Sequence, residues 1–167
     1  MPPGPDISIR TDLRPGDLGS IVRLHGVAYG RERGWDVTFE AYVAAPLADF
    51  VIRSSPRERL WVAERDGRLA GSIAVVEASP STAQLRWFLV DPACRGAGLG
   101  RQLLREALSF CRFSGYTDVM LWTEASLISA GHLYRSVDFR KVEERPVHLW
   151  GADIVEERYE MTLSGQP

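Results

Sequence analysis

One stretch, Arg95-Gly96-Ala97-Gly98-Leu99-Gly100, constrains the fold more than any other part of the chain. The apolar run Leu85–Val90 precedes it and stops at Asp91-Pro92. Leu99, Leu103, Leu104, Ala107, Leu108 and Cys111 follow at helical spacing. The pattern is a buried strand, a glycine-rich turn and an amphipathic helix. A helix N-terminus leaves backbone N–H groups unpaired and carries partial positive charge. Glycines let that backbone adopt positive φ and approach an anion closely. Together these make a pyrophosphate site. Arg95 places a forked cation beside it, and Arg101 offers a second. A P-loop is excluded, because Gly100 is followed by Arg101-Gln102 rather than Lys-Ser or Lys-Thr. A dinucleotide fingerprint is excluded too: the spacing is GxGxG, and the loop follows several strands instead of opening the fold. A bare turn needs fewer glycines than this.

Around the loop the periodicity defines eleven elements. Ile7–Ile9 reads as a short strand. Asp17 is placed to cap a helix carrying Leu18, Ile21, Val22, His25 and Tyr29, which Gly30–Gly34 should break. Phe39, Tyr42, Val43, Leu47, Phe50 and Val51 mark a second helix, which Pro46 should kink or divide. Period-two runs at 59–64 and 69–76 flank Asp66-Gly67, a hairpin turn signal. The 85–90 strand is apolar enough to be buried on both faces. Gly115 closes the helix after the loop, Val119–Trp122 is a buried strand, and Ser126 can cap a helix through Val137. Two strand-like stretches near 139–149 and 153–163 finish the chain. The order β, α, α, β, β, β, α, β, α, β, β predicts an α/β fold, a mixed sheet with helices on its faces.

The 167 residues suit one domain, over 7–163, with frayed tails at 1–6 and 164–167. Twenty basic against 22 acidic residues give a net charge of −2, which argues against nucleic acid or an anionic membrane as partner. Cys94 and Cys111 make no metal-type cluster with the three histidines, so no metal is expected. Cys111 reads as core; Cys94, in a loop beside Arg95, is a candidate reactive thiol. No signal peptide and no apolar run of roughly 18 residues is visible, and a cytoplasmic protein is expected.

The glycine loop resembles the R/Q-x-x-G-x-G/A signature of the GNAT acetyltransferases. Phe88-Leu89-Val90-Asp91-Pro92 resembles the strand end that precedes it in that family. Ala130-Gly131-His132-Leu133-Tyr134 followed by Asp138-Phe139 is similar to the family's A-x-x-LY…GF segment. His25-Gly26, Glu32, Gly34-Trp35-Asp36 and Phe39-Glu40 look closest to the GNAT domains found fused to MarR-type regulators, with Leu121-Trp122-Thr123, Glu143-Glu144 and the Val155–Leu163 ending in agreement. The resemblance implies a mixed, mostly antiparallel sheet with helices on both faces, splayed between the fourth and fifth strands.

It also implies an acetyl-CoA-dependent N-acetyltransferase acting on a primary amine of a small molecule or peptide, within a ternary complex. The alternative is a non-catalytic acyl-CoA-binding or regulatory module of the same fold. Carried over, Leu89 and Val90 would pair with the pantetheine arm. Arg95, Gly96, Ala97, Gly98, Leu99, Gly100 and Arg101 would hold the pyrophosphate. Tyr134 would protonate the departing thiolate: a phenol of pKa about 10 can donate to a thiolate whose conjugate acid is near 8.5. The base is not named by the family pattern. Glu124, at a strand end, is the first candidate, before Glu40, Glu32, His25 and His148. Tyr29, Glu32, Trp35, Glu40 and Trp122 are expected to line the acceptor site, Trp150 is a further aromatic candidate, and their acidic members, with Glu124, would favour a cationic amine. Two positions depart from the pattern. Leu127 stands where many members have Asn, and Asp138 replaces the glycine of GF. A homodimer is compatible with the family likeness alone.

Overall fold

The computed structural model describes residues 6–164; the tails expected at 1–6 and 164–167 lie almost wholly outside them. The elements run β1 (Ile7–Arg10), α1 (Asp17–Arg33), α2 (Val37–Arg53), β2 (Arg59–Arg65), β3 (Arg68–Glu77), β4 (Thr82–Val90), α3 (Leu99–Phe113), β5 (Asp118–Glu124), α4 (Ile128–Arg135), β6 (Arg140–Leu149) and β7 (Ala152–Thr162). They build one seven-stranded sheet of order β1-β2-β3-β4-β5-β7-β6. Every neighbouring pair is antiparallel except β4–β5. One apolar cluster joins the sheet to α3 and α4, through Leu103, Leu104, Ala107, Cys111, Tyr134 and Phe139. The other joins the opposite face to α1 and α2, through Ile21, Phe39, Val43, Leu47 and Phe50. Helices therefore cover both faces, as the element order requires.

The β2–β3 turn has Asp66 and Gly67 both at positive φ, 52° and 71°, the geometry that matches strand twist in a two-residue hairpin. Several local expectations are corrected. Asp17 is the first helical residue, after Gly16; its carboxylate pairs with Arg10 of β1 at 2.7 Å instead of capping. Gly30 is absorbed into α1, and Gly34, at φ 71°, ends it. Pro46 lies inside α2 without dividing it. Ser126 does not cap α4, because its hydroxyl and N–H both donate to Glu124. The strand β4 is not buried evenly: fully and partly buried residues alternate along it.

Two features of β4 shape a cleft. Its ladder with β5 runs only from Thr82–Gln84 opposite Asp118–Met120, and beyond Gln84 the strands part. This is the splay expected between the fourth and fifth strands. A bulge also places Trp87 and Phe88 opposite Ile73 alone, with Trp87 at φ 47° and its carbonyl accepting from the buried Ser72 hydroxyl at 2.7 Å.

Candidate active site

A cleft of about 800 Å³ starts at the glycine loop, passes through the splay and ends in an aromatic chamber under α1 and α2. At the loop, Gly96 and Gly98 have φ of 86° and 82°, and a Cβ at either position would meet nothing within 4 Å. Backbone conformation, not crowding, therefore demands glycine there. The first intrahelical bond of α3 is Gln102 N–H to Gly98 O, so the N–H groups of Leu99, Gly100 and Arg101 have no helical partner, and Gly98 supplies no side-chain cap. Such a cradle fits a pyrophosphate. Of the loop residues expected here, Arg95, Gly96, Gly98, Leu99, Gly100 and Arg101 line the cleft, whereas Ala97 faces away, exposed. Leu89 and Val90 line it further in. Arg95 donates to Val90 O at 3.2 Å and pairs with Glu32 at 2.9 Å.

At the middle of the cleft Tyr134 is 6% exposed, ringed by Phe88, Phe139 and Tyr159. Burial, reinforced by the nearby Tyr29 and Tyr159 phenols, pushes its pKa well above the ordinary value. It is thus held as a protonated donor. Glu124, buried at the end of β5, accepts from Ser126 N–H at 3.0 Å and from the Ser126 hydroxyl, which fixes one carboxylate oxygen and leaves the other free.

The chamber is built by two turns that meet. Asp36 N–H donates to Trp150 O at 2.9 Å, tying the start of α2 to the β6–β7 turn. Trp35 stands 4.5 Å from Trp150 and 4.9 Å from both Tyr29 and Phe39, centroid to centroid. Burial raises the Tyr29 phenol to about 12. Tyr29, Glu32, Trp35 and Trp122 all line the cleft. Glu40 does not; its side chain lies across Gly26 of α1, where no Cβ would fit. Glu32 faces the loop through Arg95, so it is not an open carboxylate. Trp122 is covered by Arg145, whose guanidinium sits 4.4 Å from its ring. Cys94 borders the cleft but is 6% exposed, and burial raises the Cys111 thiol to about 12, so neither has the exposed setting of a reactive thiol. Sequence reasoning passed over Phe39, Tyr42, Arg86 and Trp87, which also line the cleft. The bulge in β4 was the missing signal, because alternation alone assigns Arg86 and Trp87 to opposite faces.

Residues 24–139 match the model of the acetyltransferase (GNAT) family. The chain belongs to the GNAT acetyltransferase family. Human N-acetyltransferase 8 is 32% identical over 127 residues, which is 71% of this chain and 56% of that protein. Human N-acetyltransferase 8B is 34% identical over 95 residues, covering 54% of this chain and 42% of that protein. Zebrafish (Danio rerio) N-acetylaspartate synthetase is 35% identical over 85 residues, 50% of this chain and 30% of that protein. The chain thus spans about half the length, or less, of these curated relatives. Among solved structures, a Salmonella typhimurium protein with its cofactor acetyl-CoA superposes with a TM-score of 0.74 at 20% identity, covering 96% of this GNAT chain and 95% of the other. An N-acetyltransferase from Staphylococcus aureus Mu50 superposes with a TM-score of 0.78 at 19% identity, covering 95% and 99%. At these identities the likeness is one of fold, and it extends over nearly the whole GNAT chain.

Proposed function

We propose that this chain moves an acetyl group from acetyl-CoA to a primary amine of a small molecule or peptide, by direct attack in a ternary complex. One observation carries the reading: a single cleft joins an anion cradle, an unpaired strand edge and a buried phenol, in that order. The N–H groups of Leu99, Gly100 and Arg101 hold the pyrophosphate, with Arg95 and Arg101 beside them. The edge of β4 around Leu89 and Val90, free of β5, offers backbone groups to the pantetheine arm. When bound, acetyl-CoA supplies the acyl group as an activated thioester. Tyr134 donates its phenolic proton to the leaving sulfur. The attacking amine must be neutral, and Glu124 is the placed carboxylate that takes its proton, directly or through a water. Tyr29, Trp35 and Trp122 shape the acceptor end. Glu32 acts on the cofactor side, through its ion pair with Arg95, and Glu40 packs between α1 and α2. Residues His25-Gly26 and Gly34-Trp35-Asp36 support kinship with regulator-fused GNAT domains.

Thermal shift with acetyl-CoA, together with thiol release over an amine panel, tests the proposal. A ligand at 100 times its dissociation constant stabilises by about 2.7 kcal/mol. Absence of any shift removes the reading. A shift without thiol release on any amine favours the alternative, a non-catalytic acyl-CoA-binding module.

A further inference from the structure

The charges inside the cleft are unequally engaged. Among the described residues three carboxylates line it: Glu32 pairs with Arg95, Glu156 pairs with Arg145 at 2.9 Å, and Glu124 is bonded only by neutral Ser126 groups. Four guanidiniums line it. Arg95 is paired, Arg101 stands at the anion cradle, and Arg33 is exposed on the last turn of α1. Arg86 differs from all of these. It is half-buried, has no carboxylate within ion-pair distance among the described residues, and lies on aromatic faces, 4.9 Å from the Trp87 ring centroid and 5.9 Å from that of Tyr42. Cation–π contact of this kind holds a guanidinium in place while leaving its N–H fork free.

The bulge explains how Arg86 reaches the chamber. Leu85 packs in the α3-side cluster and Trp87 in the α1/α2-side cluster, although residues two apart in a regular strand share a face. The irregular backbone turns Trp87 to the same side as Tyr42 of α2, with Arg86 against both rings. Trp87 is 7% exposed, and its indole N–H has no acceptor among the described residues. His25, 4% exposed, is its complement. Its Nδ1–H donates to Ile21 O at 2.8 Å, so Nε2 carries the lone pair, and that atom is buried without a donor. Buried polar atoms without partners are rare in native proteins and call for an explanation. Here both belong to residues that line one cleft.

Resting on the transferase reading above, we infer that the acceptor is a free α-amino acid with a large apolar side chain, its carboxylate held by Arg86 and the Trp87 indole N–H. The amine end then faces Glu124, and the side chain fills the space among Tyr29, Trp35, Phe39 and Trp150. A planar carboxylate matches the guanidinium fork with two parallel hydrogen bonds, leaving an oxygen lone pair for the indole. The free cation adds a seat for an anionic group to an acceptor site whose Glu32 and Glu40 are both engaged elsewhere.

The experiment compares phenylalanine, phenylalaninamide, phenethylamine and the phosphate-bearing amine phosphoethanolamine, for the native chain and for Arg86→Met and Arg86→Lys. Thiol release gives kcat and KM. Quenching of intrinsic tryptophan fluorescence gives binding with and without acetyl-CoA. Phenylalanine is expected to exceed its amide and phenethylamine in kcat/KM by roughly 10- to 100-fold, the range for losing a hydrogen bond to a charged group. Arg86→Met should abolish that preference through KM, Arg86→Lys should restore part of it, and both should keep the acetyl-CoA thermal shift that reports an intact fold. Equal or better use of the amide or phenethylamine overturns the inference. So does preference for phosphoethanolamine, or phenylalanine that neither binds nor reacts. Failure of the transferase reading is scored separately, by a missing acetyl-CoA shift or by silence of the whole amine panel. The fluorescence titration with phenylalanine alone still judges the carboxylate seat in that case.

Discussion

Tyr134 and His25 are buried titratable groups on opposite sides of the splay, and burial drives their pKa values in opposite directions. For the phenol, the neutral form is the donor, so raising its pKa keeps the proton available at working pH. Tyr134→Phe is expected to lower kcat about 100-fold, within the usual range for a general acid, while leaving the acetyl-CoA thermal shift in place. An unchanged kcat across pH, with chemistry rate-limiting, removes Tyr134 from the proton path. For His25, burial lowers the pKa from 6.5 to about 4, against a smaller opposing effect of the Ile21 carbonyl. The unfolded chain takes up its proton near 6.5 and the folded chain near 4, so between those values the unfolded state holds more protons. The contribution is therefore complete above about pH 6.5 and falls away as the pH drops to 4, by about 3 kcal/mol in all. In His25→Gln, urea denaturation followed from pH 7 to pH 4 should show a correspondingly flatter loss of stability. Neither environment is legible in the sequence. Periodicity puts His25 and Tyr134 on apolar helix faces, but only the packed sheet tells which atom ends without a partner.

Between elements, the contact that bears most on the proposed cofactor site is the ion pair from α1 to the glycine loop. Glu32 and Arg95 are both partly solvated, so their pairing is worth little, up to about 1 kcal/mol. In the proposed binding mode pyrophosphate competes for the same guanidinium. Glu32→Gln should then tighten acetyl-CoA binding by up to about fivefold, measured by calorimetry, and the gain should shrink as salt is raised. Weaker binding in this variant shows instead that Glu32 orients Arg95 toward the phosphate. The order of elements followed from the sequence, because glycine spacing and the hairpin at Asp66-Gly67 are local signals, whereas the β4–β5 splay was implied only by the family resemblance. The errors were those of competing local partners. Asp17 found Arg10 of β1 and the Ser126 hydroxyl found Glu124, so two residues suited to capping were used elsewhere. Pro46 was tolerated because α2 packs its Val43, Leu47 and Phe50 face against the sheet, and tertiary burial outweighs one missing backbone donor.

Across the whole molecule the sheet separates two apolar clusters, and the cleft opens where the sheet itself splits. Stability and site geometry therefore depend on the same strands. Leu103, fully buried in α3 against β3, tests this: Leu103→Ala should cost about 2–5 kcal/mol in urea denaturation and still unfold in one step. A second transition in that variant shows that the two layers unfold independently. The sequence by itself determined the alternation of strands and helices, the anion cradle at Arg95–Gly100 and the family to which the chain belongs. These are encoded in short-range spacing, where each residue's role depends on neighbours a few positions away. Tertiary structure alone decided the aromatic end of the cleft. A bulge in β4 brings Arg86 and Trp87 to one side, Glu32 and Glu40 are occupied by Arg95 and Gly26, and Trp150 closes on Trp35 through a backbone hydrogen bond. Each of these joins residues far apart in the chain, so no local pattern could announce it.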